Sequence, residues 1–160
     1  MVKSLVRLVH TKVFPDTPVS KVWQLLAKRY ITLLAVVSAD NKLLGVIGED
    51  DLLYRLVPDY REYFSEFLTA TPDLKDIEEN LEKEIRLTAS DVMNKKVISI
   101  AADQPIFKAF AKMMVYKVRA MPVVDEKDKF LGMIVEDDIM QFLFKKHESV
   151  VKRKKSKRFS

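Results

Sequence analysis

A nine-residue stretch decides the fold because the chain contains it twice. Leu-Gly-Val-Ile-Gly-Glu-Asp-Asp-Leu at 44–52 returns as Leu-Gly-Met-Ile-Val-Glu-Asp-Asp-Ile at 131–139. Working outward from this pair, the shift of 131 − 44 = 87 residues aligns 16–56 with 103–143 without a gap, and 13 of the 41 pairs are identical. We therefore interpret the chain as a duplicated unit, which has to be recognised before any secondary structure is assigned.

Each copy predicts the order strand–helix–strand–strand–helix. Pro18 and Pro105 suit a first helical turn, and apolar residues with helical spacing follow each of them. Two short apolar runs separated by a polar turn then predict an antiparallel hairpin. Glu-Asp-Asp opens the last helix of each copy, since acids in a first turn complement the helix dipole. Because one copy is too small to bury a core alone, we expect an α+β fold of two pseudo-symmetric β-α-β-β-α repeats packed sheet to sheet.

The repeats imply four segments. We expect repeat 1 at 1–56, an acidic helical insertion at 57–88, repeat 2 at 89–146 and a basic, disordered tail at 147–160. The insertion has nine acids and four bases, and its apolar spacing predicts two helices, near 57–68 and 74–85. From Lys145 onward there are eight basic residues and one acid, a net charge of +7. The formal net charge of +5 for the whole chain therefore leaves residues 1–144 with a net charge of −2.

Composition and motifs exclude most catalytic classes. With no Cys, the chain has no disulfide, no Cys-ligated metal and no thiol nucleophile. His10 and His147 lack triad or metal spacing, and the Glu-Asp-Asp clusters are more typical of solvated helix starts than of Mg²⁺ sites. No apolar run approaches the ~20 residues of a membrane span, and the N-terminus does not resemble a signal peptide. We therefore expect a cytoplasmic protein that is not an enzyme.

The second copy resembles a known family. Ala-Ser-Asp-Val-Met-Asn-Lys-Lys-Val-Ile-Ser-Ile at 89–100, Asp-Gln-Pro-Ile at 103–106, Arg-Ala-Met-Pro-Val-Val-Asp at 119–125 and the stretch at 131–139 look like a cystathionine-β-synthase (CBS) domain. The first copy is a weaker match, with Ala35 where Pro122 stands. Together they resemble a CBS domain pair, or Bateman module. The resemblance implies a homodimeric regulatory or sensor protein that binds an adenine nucleotide (AMP, ADP, ATP or a relative) and has no covalent cofactor. Any Mg²⁺ would arrive with the nucleotide, and the protein would signal to an unknown protein partner.

The resemblance also implies which residues hold the ligand. In the family, a signature Asp accepts from the ribose hydroxyls; here Asp51 and Asp138 take its place, although Gly48 and Val135 replace the usual hydroxyl residue. Each cleft takes its Asp from one repeat and its wall from the other. Cleft one combines Asp51 with Ile98, Val118, Arg119 and Ala120. Cleft two combines Asp138 with Thr11, Ile31, Thr32 and Leu33. Arg119 stands where a phosphate-contacting residue is frequent, and a guanidinium suits a phosphate, so cleft one is the stronger nucleotide candidate.

Two alternatives stay open. Asp51 and Asp138 also suit any helix start, and a degenerate pair that binds no ligand would act as a dimerisation or interaction module. The basic tail also fits weak, nonspecific attachment to nucleic acid or an acidic membrane surface through counterion release.

Overall fold

The computed structural model describes residues 1–7, 12–56 and 73–158, which divide into two compact units. The first unit comprises 12–56, 73–97 and 128–130; the second comprises 1–7, 98–127 and 131–158. Each unit has a three-stranded sheet in which the middle strand pairs in parallel with the short first strand. These mixed sheets with flanking helices confirm the α+β class.

The first unit carries repeat 1. Its elements are β1 (Lys12–Val13), α1 (Val19–Leu26), β2 (Leu33–Val37), β3 (Leu43–Gly48), α2 (Glu49–Leu56), α3 (Leu74–Glu84) and α4 (Ala89–Val92). β2 and β3 form the predicted antiparallel hairpin, with Leu34 opposite Ile47. Both of these side chains are fully buried, together with those of Val22 and Leu52 from the two helices. Burial of this apolar face stabilises the unit, at about 1.5–3 kcal/mol for each fully buried large aliphatic side chain.

The second unit carries repeat 2. Its elements are a 3₁₀ helix (Val2–Leu5), β4 (Ile100–Ala101), α5 (Ile106–Tyr116), β5 (Ala120–Val124), β6 (Phe130–Val135) and α6 (Glu136–Arg158). The sheet order is β4-β5-β6. Met121, Ile134 and Ile139 are buried at its centre. The predicted order of elements is therefore confirmed in both repeats.

The segment at the start of each repeat belongs to the other repeat's unit. Val2 lies in the core of the second unit, whereas Ala89 and Val92 lie in the core of the first. Backbone bridges hold these segments, Arg7 on Met133 and Asn94 on Val46. The boundaries 1–56 and 89–146 thus follow the sequence repeat, but the spatial units differ from them. The start of each repeat, called its leader here (1–7 and 89–97), pairs through the backbone of Arg7 or Asn94 with the last strand of the other repeat's sheet.

The C-terminal segment is helical, and the prediction of a disordered tail is wrong for the described part of it. α6 continues without a break from Glu136 to Arg158. The acids of its first turn and the bases of its last turns both complement the helix dipole, and no Gly or Pro interrupts the segment. A helix already nucleated within the second unit extends at little further cost.

The acidic insertion is confirmed as helical only in its second half. α3 covers 74–84 as predicted, whereas the expected helix near 57–68 lies outside the described residues. α3 packs beside α2 and brings Glu84 into the interior of the first unit. The sequence analysis gave no sign that one of the insertion's nine acids is buried.

Candidate functional site

The two predicted ribose-binding carboxylates occupy equivalent places in the two units. Asp51 is the third residue of α2 and Asp138 the third residue of α6, each directly after the last strand of its sheet. Both side chains are half-buried. The β-strand fixes where each helix begins, so the position of each carboxylate follows from the sheet.

In the first unit, Asp51 is held by its own helix start. The Gly48 N–H donates a hydrogen bond of 2.7 Å to Asp51 Oδ2, the contact by which a residue in the first turn caps the helix. The Gly48 amide, at the position where the family has a hydroxyl residue, is therefore used within the chain. Within the described residues, Asp51 Oδ1 has no hydrogen-bond partner. One oxygen therefore orients the carboxylate and the other is available.

In the second unit, Asp138 forms an ion pair with Arg7. Arg7 Nε lies 2.6 Å from Oδ2 and Arg7 Nη2 lies 2.7 Å from Oδ1, so the guanidinium fork occupies both oxygens. These hydrogen bonds raise the pKa of Arg7 above its ordinary value, against the opposing effect of burial. The sequence analysis missed Arg7, although the repeat contains a signal: the 87-residue shift places Arg7 opposite Asn94 (7 + 87 = 94).

A cavity of about 310 Å³ adjoins this ion pair. The side chains that line it are partly polar and partly apolar: Ser4, Leu5, Val6, Arg7, Asp138, Gln141, Phe142 and Lys145. The charges of Arg7 and Asp138, which are in direct contact, neutralise one another. The exposed ammonium of Lys145 leaves the lining with a net positive charge.

The predicted wall of cleft one lies on the second unit. Ile98 and Val118 are partly buried against the core of that unit, and Ala120 is buried at the start of β5. Arg119 is different because 79% of its side chain is exposed. Among the described residues, its side chain makes one hydrogen bond, of 3.1 Å from Nε to Glu136 Oε2, so most of its donors face solvent.

The predicted wall of cleft two lies on the first unit. Ile31 is buried in the core of that unit, Thr32 is exposed, and Leu33 begins β2 half-buried. Thr11 lies outside the described residues. Since the core already uses the Ile31 side chain, Thr32 and Leu33 are the two described residues of this wall with side-chain surface to offer.

The other candidates considered from sequence take structural positions. Trp23 packs against the core of the first unit, as expected for a residue on an apolar helix face. His147 is exposed on α6, and His10 lies outside the described residues. Within 1–7, 12–56 and 73–158, no group of three or more His, Asp or Glu side chains is arranged to hold a metal ion. No helix of the described residues has the length and apolarity needed to cross a membrane.

The duplicated β-α-β-β-α unit, with an Asp in the first turn of each final helix, defines a class of proteins built from two tandem repeats. The family model for the CBS domain matches the chain twice, at residues 2–58 and 89–145. The chain belongs to the CBS domain family. It is 31% identical over 135 residues to a CBS domain-containing protein of Dictyostelium discoideum, covering 84% of this chain and 85% of that protein. It is 27% identical over 142 residues to an uncharacterized protein of Methanocaldococcus jannaschii, covering 82% and 84%.

Solved structures of CBS proteins share the fold. CBSX2 of Arabidopsis thaliana, in its complex with AMP, gives a TM-score of 0.67 at 22% identity and covers 90% of this chain and 96% of that one. The CBS domain pair of protein MJ0100, in complex with 5′-methylthioadenosine and S-adenosyl-L-methionine, gives 0.65 at 21% identity and covers 91% and 97%. Among relatives with enzyme names, the inosine-5′-monophosphate dehydrogenase of Aquifex aeolicus is matched over only 21% of its length.

Proposed function

We propose that this CBS domain pair is a regulatory protein, without catalysis of its own, that binds an adenine nucleotide through the Asp51 carboxylate and signals its occupancy to a partner protein. The observation that carries the proposal is the state of Asp51. The Gly48 N–H holds one carboxylate oxygen at 2.7 Å. The other oxygen, which has no partner among the described residues, can accept from a ribose hydroxyl by a charge-assisted hydrogen bond.

The comparisons support an adenosine ligand. Two CBS proteins of similar fold are found with AMP and with two sulfur-containing adenosine compounds. The shared part of these ligands is adenosine, whose ribose hydroxyls suit a carboxylate acceptor. The adenosine moiety is therefore the group that we assign to this chain, and the substituent on the ribose is the variable part.

Arg119 supports a phosphate on that substituent. Its guanidinium is largely exposed, keeps its charge at any physiological pH and has donors left over beside its bond to Glu136. An exposed ion pair of this kind contributes little stability, so a phosphate can compete for the guanidinium at small cost. The remaining assignments stay predictions: the purine contacts of Ile98, Val118 and Ala120, a nucleotide-borne Mg²⁺, the cytoplasmic location and the unknown protein partner.

The experiment is calorimetric titration of AMP, ADP, ATP, 5′-methylthioadenosine and S-adenosyl-L-methionine into the full chain and two variants. Asp51→Asn keeps an oxygen for the Gly48 N–H but replaces the second acceptor with an amide donor. We expect it to weaken binding about tenfold or more, the loss of one hydrogen bond to a charged group. Asp50→Asn, an exposed neighbour on the same helix turn, is the matched control and should bind as the wild type does. The absence of binding for all five compounds at millimolar concentration would reject the proposal.

We also propose that the chain forms a homodimer through the exposed surface of α5 and α6. α5 and α6 contact one another and expose large apolar side chains, among them Phe107, Met114, Val115 and Met140. Exposed apolar clusters of this kind mark protein–protein contacts more often than free surface. In light scattering after gel filtration we expect a dimer that Met114→Glu converts to monomer. Leu74→Glu, on an equally exposed residue of α3, should leave the dimer intact; a dimer that survives Met114→Glu places the contact elsewhere.

A further inference from the structure

Asp51 and Asp138 have different hydrogen-bond partners, and the difference originates in the leader at the start of each repeat. Arg7 and Asn94 are equivalent under the 87-residue shift, and both pair with the last strand of a sheet. In the second unit, the Arg7 N–H donates to the Met133 carbonyl at 2.8 Å. In the first unit, the Asn94 N–H donates to the Val46 carbonyl at 2.8 Å. The backbones are therefore alike, and the side chains at this position decide what each carboxylate meets.

The backbone of Arg7 is fixed where its side chain can reach Asp138. The Met133 N–H returns a hydrogen bond of 3.3 Å to the Arg7 carbonyl, which completes the bridge. This close approach requires Gly132, because a Cβ on that residue would stand 2.5 Å from the Arg7 carbonyl oxygen. Arg7 thus has little main-chain freedom, and its long side chain is delivered to the carboxylate at the start of α6.

We infer that Arg7 closes the Asp138 carboxylate to ligands, so that Asp51 alone is available to bind ribose and the chain takes one adenosine ligand. The inference rests on the proposed function. Both oxygens of Asp138 accept from the guanidinium, at 2.6 and 2.7 Å, so a ribose diol has no free acceptor there. A ligand must first break two charge-assisted hydrogen bonds that form a bidentate pair.

The first unit has no such closure. Asn94 is shorter than Arg7, and its Oδ1 accepts from the Lys96 N–H at 2.9 Å, so its side chain is directed along its own loop. Among the described residues, Asp51 has a single hydrogen bond, from the Gly48 N–H. A duplicated chain with equivalent carboxylates therefore has one occupied and one available acceptor among its described residues, because Asn94 stands in one leader where Arg7 stands in the other.

Replacement of Arg7 should create a second ligand site. In the Arg7→Ala variant, both oxygens of Asp138 lose their partner and become acceptors. With one or two charge-assisted hydrogen bonds no longer to be broken, we expect AMP to bind at Asp138 about tenfold or more tightly than in the wild type. This second site should require the ribose hydroxyls, so 2′,3′-dideoxy-AMP should not fill it.

The test is calorimetric stoichiometry with AMP on the full chain. We expect one AMP per wild-type chain, lost in Asp51→Asn; two per Arg7→Ala chain; and one in the Arg7→Ala/Asp51→Asn double variant, lost when Asp138→Asn is added. Arg86→Ala removes an exposed arginine of the first unit and should keep one AMP per chain. Arg7→Met, which preserves the apolar stem, replaces Arg7→Ala if thermal melts show that the alanine variant does not fold.

The outcomes separate this inference from the proposed function. Two AMP molecules per wild-type chain, or weaker AMP binding in Arg7→Ala, overturns the inference while the proposed function stands. No binding in the wild type but Asp138-dependent binding in Arg7→Ala overturns the assignment of Asp51, and with it the proposed function, while the closure of Asp138 by Arg7 stands. If neither chain binds AMP, both are overturned.

Discussion

Replacement of buried Glu84 should stabilise the protein near neutral pH and leave its stability at low pH unchanged. Glu84 is only 3% exposed, and among the described residues neither of its carboxylate oxygens has a hydrogen-bond partner. The groups that face it are the indole of Trp23 on α1, whose buried Nε1 is also unpartnered, and the charge of Arg55 on α2. Burial raises the pKa of Glu84, and the weaker effects of Trp23 and Arg55 oppose this shift.

The sign of the pH dependence follows from the direction of that pKa shift. Because the folded chain favours the protonated carboxyl, Glu84 contributes its full stability below its ordinary pKa of 4.5, and this contribution is lost as the pH rises through the raised value. Each pH unit between the two values is worth about 1.4 kcal/mol, so the loss by pH 7 is at most about 3 kcal/mol. Gln resembles the protonated acid in shape and has no proton to lose. Glu84→Gln should therefore be more stable than the wild type at pH 7, by at most about 3 kcal/mol, and almost unchanged at pH 4.

The assay is thermal unfolding by circular dichroism at several pH values from 4 to 8. For a chain of this size, we expect Tm of Glu84→Gln to exceed that of the wild type by about 2–8 °C at pH 7, with the two curves converging toward pH 4. Glu82→Gln changes an exposed acid on the same helix and controls for the loss of one negative charge. A difference that is the same at every pH, or a lower Tm for Glu84→Gln at pH 7, would refute the reasoning.

Two further perturbations test the leader contacts and the basic helix. Gly132→Ala should destabilise by about 1–3 kcal/mol, since the residue has φ +153° and its Cβ would meet the rigid Arg7 carbonyl at 2.5 Å. Gly45→Ala should cost less, because its nearest neighbour at 2.7 Å is the flexible side chain of Met93; equal urea midpoints for the two variants would contradict this. Deletion of 150–160 should abolish any salt-sensitive retention of the chain on duplex RNA or anionic vesicles, and unchanged retention would exclude the basic helix as the cause.

Local pattern was sufficient to predict the elements. The two prolines, the helical spacing after them and the paired apolar runs predicted α1, α5 and both hairpins close to their actual bounds. These features depend on neighbours a few residues apart, so a single sequence reveals them. The disordered tail was a wrong prediction because it, too, relied on local pattern alone. Its lack of an apolar period indicated no packed face, but helix growth from an existing start does not need one.

The candidate site was predicted only in part. Asp51 and Asp138 were identified because the resemblance to CBS domains places the family's signature Asp at both positions, and it gave no reason to treat them differently. Their difference depends on Arg7, which lies 131 positions from Asp138 in the chain. It depends equally on a strand pairing that places each leader on the other repeat's unit.

The sequence by itself determined the duplication, the order of strands and helices and the membership of the CBS domain family, since all of these are written in short spacings. Only the tertiary structure decided that the Arg7 guanidinium occupies the Asp138 carboxylate, that no such side chain among the described residues occupies Asp51, and that Glu84 is buried. The physical reason is that the availability of a polar atom depends on which distant group comes within hydrogen-bond distance of it, about 3 Å. Chain folding sets that distance, and no periodicity in the sequence encodes it.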